Sequence, residues 1–282
     1  MKLLRDLLRI CWADKSALVG GGVVLVYLGV AIVGPFVVHL HYVSNPALAY
    51  LPPSLKNPLG TDFLGHSVLS ELILGTRPVM EVGITSAVFV VVVGVTVGLA
   101  SGYAGGSVDQ VVMRIADVFL TVPGLPLVIV IAAVVHTSSP FVLAGILSVS
   151  AWAGLARAVR SQALSLRSSD FIEAAKVQGL PLRNMVGRQL LPNVGPYVAI
   201  HFLLAVTGAI YAEVGLFLLG VAPVTGSNWG IMMNLAISQG ALYTSRSALY
   251  LFSPMLAIIF LQVALVYFAR AMDRLFNPRM RV

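Results

Sequence analysis

Few side chains in this 282-residue chain could do chemistry, and most stand in apolar surroundings. Glu213, in "IYAEVGLFLLG", is the one acid well inside an apolar stretch. An ionisable group there could line a solute pathway, or could hydrogen-bond a neighbouring helix near the outer end of its span. His39 and His41 flank Leu40, but a metal centre needs more ligands than two, so no metal site is expected. None of the four lysines follows a glycine, so the phosphate-cradling Gly-x-x-x-x-Gly-Lys-Ser/Thr loop is missing and the chain is not expected to bind ATP alone. There is no hydrolase nucleophile elbow and no metalloprotease histidine pair, so no active site in the chemical sense is expected. The single cysteine, Cys11, rules out an intrachain disulfide framework.

One polar stretch stands out: "EAAKVQGLPLRNMVGRQLLPN", Glu173 to Asn193, cationic and hydrophilic between apolar segments. Asp170–Gln178 reads as a short helix. Gly179 can end it with a positive φ, and Pro181 suits the first turn of a second helix. A plain connector needs only a few residues, whereas this interval runs over 158–193. A docking surface, built as a rigid knob, is the better reading.

The elements that must position these residues follow from composition. Hydrophobic residues make up 58% of the chain and charged residues 10%, and the mean hydropathy is +0.93. Soluble domains carry nearer a quarter charged residues, so the chain belongs to the membrane class. Uncharged runs over Leu18–Leu40, Val82–Val108, Val118–Ala156, Gln189–Ala212 and Ser247–Ala269, with "HTSSP" (His136–Pro140) dividing the longest, predict about six spans. They fall near 18–40, 80–104, 110–135, 140–158, 195–219 and 247–269, giving an all-α integral membrane protein. Fourteen of the eighteen Lys and Arg lie before the first span, between the fourth and fifth, or after the last. The preference of Lys and Arg for the cytoplasmic side then places both termini and the 158–193 loop inside. The net charge of +7 reports this orientation, not nucleic-acid binding, since no basic block is interleaved with aromatics.

Residues 1–17 carry Leu3, Leu4, Leu7 and Leu8 on one helical face and Lys2, Arg5, Asp6 and Arg9 on the other, as an interfacial helix on membrane lipid would. The first span, 18–40, is too long for a signal peptide and lacks a small-residue cleavage site, so it is expected to stay as an anchor. The extracytoplasmic loop, 41–79, enters through a Pro-rich stretch and predicts a short helix capped by Thr61 or Asp62. The core, 80–270, is followed by a cytoplasmic tail, 271–282. Gly94, Gly98, Gly102 and Gly106 recur every fourth residue, a flat row for close helix packing. Pro123 and Pro126 should bend the third span, as helices facing a pathway often bend.

The pattern Glu173-Ala174-Ala175, then Gly179, then Leu191-Pro192-Asn193 resembles the coupling-loop motif of ATP-binding-cassette import permeases. "NPLGTDFLGHSVLSELILGTR", "GLASGYAGGSVDQVVMRIADVFLTVPGLPL", "AEVGLFLLGV", "NWGIMM" and "NPRMR" extend the likeness over nearly the whole chain. They are similar to the second, C-type, membrane subunit of permeases for dipeptides, oligopeptides and nickel. Gln189, His66 and Asn277 depart from residues common in relatives, and none touches the Glu-Ala-Ala-x-x-x-Gly core.

The resemblance implies the type I importer permease fold and a chain that binds no cofactor itself, with ATP and Mg²⁺ used by partners. Those partners would be a homologous permease subunit, two cytoplasmic ATPase subunits and an extracytoplasmic solute-binding protein. Asp170, Glu173, Ala174, Ala175, Gln178, Gly179, Leu191 and Pro192 would form the ATPase-coupling surface, and Pro123 with Glu213 a possible pathway. Di- and oligopeptides lead as cargo; oligosaccharides remain open, and nickel is weaker because candidate ligands are scattered. A self-sufficient secondary transporter is the reading from another class, but no internal repeat supports it.

Overall fold

The computed structural model describes residues 15–39, 44–181, 184–222, 226–241 and 248–276. The amphipathic lead over 1–14 with Cys11, His41, and the tail from Asn277 lie outside the described residues. Among those described, the one β feature is an isolated bridge between Thr61 and Ser67; the rest is helix and loop. In chain order the helices are α1 (Lys15–Val37), α2 (Val68–Ala104), α3 (Gly106–Thr121), α4 (Gly124–Val135), α5 (Pro140–Arg167), α6 (Asp170–Val177), α7 (Leu191–Leu218), α8 (Trp229–Ser238) and α9 (Ala248–Phe276).

Five helices are long and apolar enough to cross a membrane: α1, α2, α5, α7 with the π-helical turn Met185–Leu190 before it, and α9. α3 and α4 make a sixth crossing only as a pair, bent by 85°. The break falls at Val122, which is extended at φ −77° and ψ 126° because a following proline disfavours the helical region. Pro126 does not contribute to the bend. It sits in the first turn of α4, where its missing N–H has no helical partner to lose.

α2 is the mast of the bundle. Its 37 residues rise about 55 Å, more than the roughly 30 Å hydrocarbon thickness. It begins at Val68 and not near 80, because Glu71, Arg77 and Glu81 end the uncharged run without ending the helix. α2 packs along α5 and α7, while α1 packs on α9 and α2 and leaves Leu25, Val26, Ile32 and Phe36 exposed. At the end of the bundle where α2 starts, Trp229 is fully buried, donates from Nε1 to the Leu72 carbonyl at 3.0 Å, and meets the Tyr27 ring edge-on. A second cluster, around Val90, Leu99, Val159, Ile172, Met185 and Leu190, closes the opposite end. That end carries Arg157, Arg160, Arg167, Arg188, Arg270 and Arg274 and is here called the basic end.

The segment between 219 and 247, outside every predicted span, contains α8, whose ten residues are too few to cross a membrane. After Gly179, the Pro181 carbonyl accepts from the amides of Asn184 and Met185, and the chain passes through the π turn into α7; Leu182 and Arg183 lie outside the described residues.

Candidate functional site

The polar segment singled out in the sequence lies at the basic end. α5 stops at Arg167, two serines form a joint, and α6 starts at Asp170. The Ser169 carbonyl accepts from the amides of Ile172 (3.0 Å) and Glu173 (3.1 Å), while its hydroxyl donates back to the Leu166 carbonyl at 2.5 Å. Asp170 and Glu173 occupy the first turn, where negative charge suits the helix dipole. Ile172 is completely buried among Val159, Ala163, Met185, Leu190 and Val194. Asp170, Glu173, Val177, Gln178 and Gly179 are exposed, Val177 at 89%. Gly179 holds φ +68°, a conformation that glycine adopts without strain. Ala174 and Ala175 belong to α6, but their side chains lie outside the described residues. Leu191 and Pro192 open α7, both exposed, and Asn193 Nδ2 donates to the Gln189 carbonyl at 2.6 Å. Among the described side chains of α6, Ile172 is buried while Asp170, Glu173 and Val177 are exposed.

This helix is joined to elements that resist independent motion. A Cβ placed on Gly98 would stand 2.5 Å from the Ala156 carbonyl, and one on Gly102 would stand 2.7 Å from the Ala163 side chain. With Gly94 against Leu155, the row lets α2 and α5 touch through backbone. Gly106 is not part of it: α2 ends at Ala104, and Gly105 and Gly106, at φ +65° and +58°, turn the chain into α3. Arg160 of α5 donates from Nε to Asp109 Oδ1 at 2.5 Å and from Nη2 to Oδ2, and the Ser101 hydroxyl donates to the same carboxylate. Arg157 pairs with Asp117 farther along α3. α2, α3 and α5 are therefore fastened together beside the α6 joint.

A cleft of about 510 Å³ opens between α2, α4, α5 and α7, lined by small and apolar residues including Gly124, Ser150, Ala151, Gly208 and Ala212, with His201 as its one ring nitrogen donor. Pro123 precedes α4 beside Gly124. Glu213 does not line the cleft. It is fully buried and accepts from Asn228 Nδ2 at 2.8 Å, while Asn228 Oδ1 caps α8 by accepting from the Gly230 amide. Glu213 and Pro123, paired as pathway candidates, are not brought together.

At the end opposite α6, Thr61 and Asp62 cap no helix. Thr61 donates to the Leu48 carbonyl at 2.6 Å and accepts from the Leu51 amide, and Ser67 takes the N-cap place of α2. Asp62 Oδ1 accepts from the amides of Leu64 (2.9 Å) and His66 (2.6 Å). His66 Nδ1 lies 3.4 Å from both Asp62 Oδ2 and Glu71 Oε1. All three residues are buried. Burial pushes the Asp62 carboxyl above the usual carboxylate range, against the opposing pull of His66 and the loop amides. Sequence reading missed this cluster because it treated Asp62 as a cap; the available signal was three ligand-type residues, Asp-x₃-His-x₄-Glu, within ten positions.

Residues 94–282 match the family described as "Binding-protein-dependent transport system inner membrane component". The dipeptide transport system permease protein DppC of Bacillus subtilis is 33% identical over 226 residues, 78% of this chain and 69% of that protein. The oligopeptide transport system permease protein OppC of the same organism is 30% identical over 234 residues, 82% and 76% of the respective chains. OppC of Haemophilus influenzae is 35% identical over 181 residues, 64% of this chain and 58% of that one.

Proposed function

This chain belongs to the family of inner-membrane components of binding-protein-dependent transport systems, and from that premise we propose that it is the C-type permease subunit of a peptide importer, gripped by its ATPases at α6. It is a multi-pass membrane protein and a transport subunit. Peptides are favoured as cargo because the relatives' names specify dipeptide and oligopeptide transport. The excess of Lys and Arg at the basic end supports a cytoplasmic position for α6 and for both termini.

In the assembly, a homologous permease subunit faces the cleft between α2, α4, α5 and α7 and completes a pathway. An extracytoplasmic solute-binding protein delivers peptide at the other end, and two ATPase subunits bind ATP with Mg²⁺ beneath α6 and its counterpart. When the ATPases close, the exposed face of α6 moves with them. Ile172 passes that displacement to α5 and α7, and the glycine contact together with the Arg160–Asp109 pair carries α2 and α3 along with α5. The observation that carries this reading is the division of α6 between a buried anchor, Ile172, and the exposed Asp170, Glu173 and Val177, with Gln178 exposed in the turn that follows.

Glu173→Lys reverses the charge on that face, and Gly179→Asp places a side chain where a close partner surface would lie. Each variant should still insert and co-purify with the permease partner, while ATP-driven peptide uptake in proteoliposomes falls roughly tenfold or more, as for loss of a central interface contact. Uptake at the unmodified rate in either variant would remove the coupling role.

A further inference from the structure

We propose that Asp62, His66 and Glu71 form a binding site for a divalent transition-metal ion, Zn²⁺ foremost, that fastens the 44–67 loop to the start of α2. The site is a resident one, separate from the cargo pathway and independent of the importer reading.

The spacing is that of ligands around an ion. His66 Nδ1 is 3.4 Å from Asp62 Oδ2 and 3.4 Å from Glu71 Oε1, and one donor atom from each residue lies within 4.8 Å of the others. Tetrahedral Zn²⁺ with bonds of about 2.0–2.1 Å has ligand-to-ligand edges of about 3.3–3.4 Å. Charge-assisted hydrogen bonds from an imidazolium would instead close to about 2.7–2.9 Å. Asp62 supplies an independent observation: its side chain is 1% exposed, and among the described residues no N–H or O–H group donates to Oδ2, whose neighbour in the cluster is the Glu71 carboxyl. Oδ1 is occupied by two loop amides, which hold the carboxylate with Oδ2 toward the cluster.

Two carboxylates sharing a buried site repel, and one imidazolium offsets only part of their charge, whereas a dication balances both. The position is prearranged: the Asp62 amide donates to the His66 carbonyl at 2.9 Å, and the Thr61–Ser67 bridge closes the loop behind it. A cavity of about 180 Å³, lined also by Asn228 and Tyr250, leaves room for a water as fourth ligand. One imidazole with two carboxylates suits Zn²⁺ and its neighbours better than Ca²⁺ or Mg²⁺, which take six or more oxygens.

The test uses the full chain with a histidine-free tag, stripped with chelator and titrated with Co²⁺, then Zn²⁺. One Co²⁺ per chain should bind with the intense visible absorption of a tetrahedral site, be displaced by one Zn²⁺, and raise the unfolding temperature. Asp62→Asn, His66→Gln and Glu71→Gln should each weaken binding by roughly tenfold or more, and His39→Gln should leave it unchanged. Absence of the tetrahedral signal in the unmodified chain overturns the proposal, as does its persistence in the triple variant. The metal-free unfolding transition checks that each variant is folded.

Discussion

Glu213 holds a carboxyl group in the interior of the bundle, and the one hydrogen bond it makes among the described residues is with Asn228. Through that bond Glu213 braces α7 against α8, with Oε1 as the acceptor that Asn228 uses. Glu213→Gln keeps that acceptor and should leave peptide uptake within about twofold of the unmodified chain. Glu213→Ala strands the Asn228 amide and should cost about 1–3 kcal/mol of stability, read as a lower unfolding temperature in detergent. Loss of uptake in the Gln variant with unchanged stability would instead make the charge functional. The sequence marked Glu213 as unusual but could not show its partner, because Asn228 sits fifteen positions on, at the head of a helix too short to register as a span.

At the scale of elements, the α2–α5 seam and the α6 anchor carry the account. Gly98→Ala forces a methyl against the Ala156 carbonyl and should cost about 1–3 kcal/mol through overpacking. Gly145→Ala in α5, with nothing within 4 Å of its added Cβ, should be neutral or stabilising by about 0.5–1 kcal/mol; thermal unfolding of the two side by side checks both. Ile172→Ala empties the anchor of α6 at a cost of about 2–5 kcal/mol to the docking of that helix. Assembly should survive, but ATP hydrolysis should no longer follow delivery of peptide, as a coupled ATPase assay would show. The spans were legible because uncharged runs report burial in lipid directly. Their ends were less so. Charged residues in the first turns of α2 interrupt hydrophobicity without interrupting helical hydrogen bonding, and the break before α4 depends on Val122 and Pro123 rather than on both prolines. The exposed polar loop was legible for the opposite reason, since charged residues recur through it between two apolar spans. The Asp62–His66–Glu71 cluster was not, because a loop and a helix start must fold together before it exists.

For the whole molecule, the proposed assembly has energy for uphill transport entering through contact with the ATPase subunits, since the sequence carries no Gly-x-x-x-x-Gly-Lys-Ser/Thr loop. The contact surface assigned here is small, one two-turn helix, and it connects to the long α2 through α5. The proposed import mechanism therefore rests on α6 meeting the ATPase. The most direct measurement places a cysteine at Gln178 in a Cys11→Ser background, labels it with a benzophenone maleimide, and irradiates the complex purified with its partners. Coupling through α6 should give a covalent adduct with the ATPase subunit whose yield changes when ATP is added, and none from the same label at His39 on the opposite end. No adduct from position 178 in a complex that hydrolyses ATP, or an equal adduct from both positions, would contradict it.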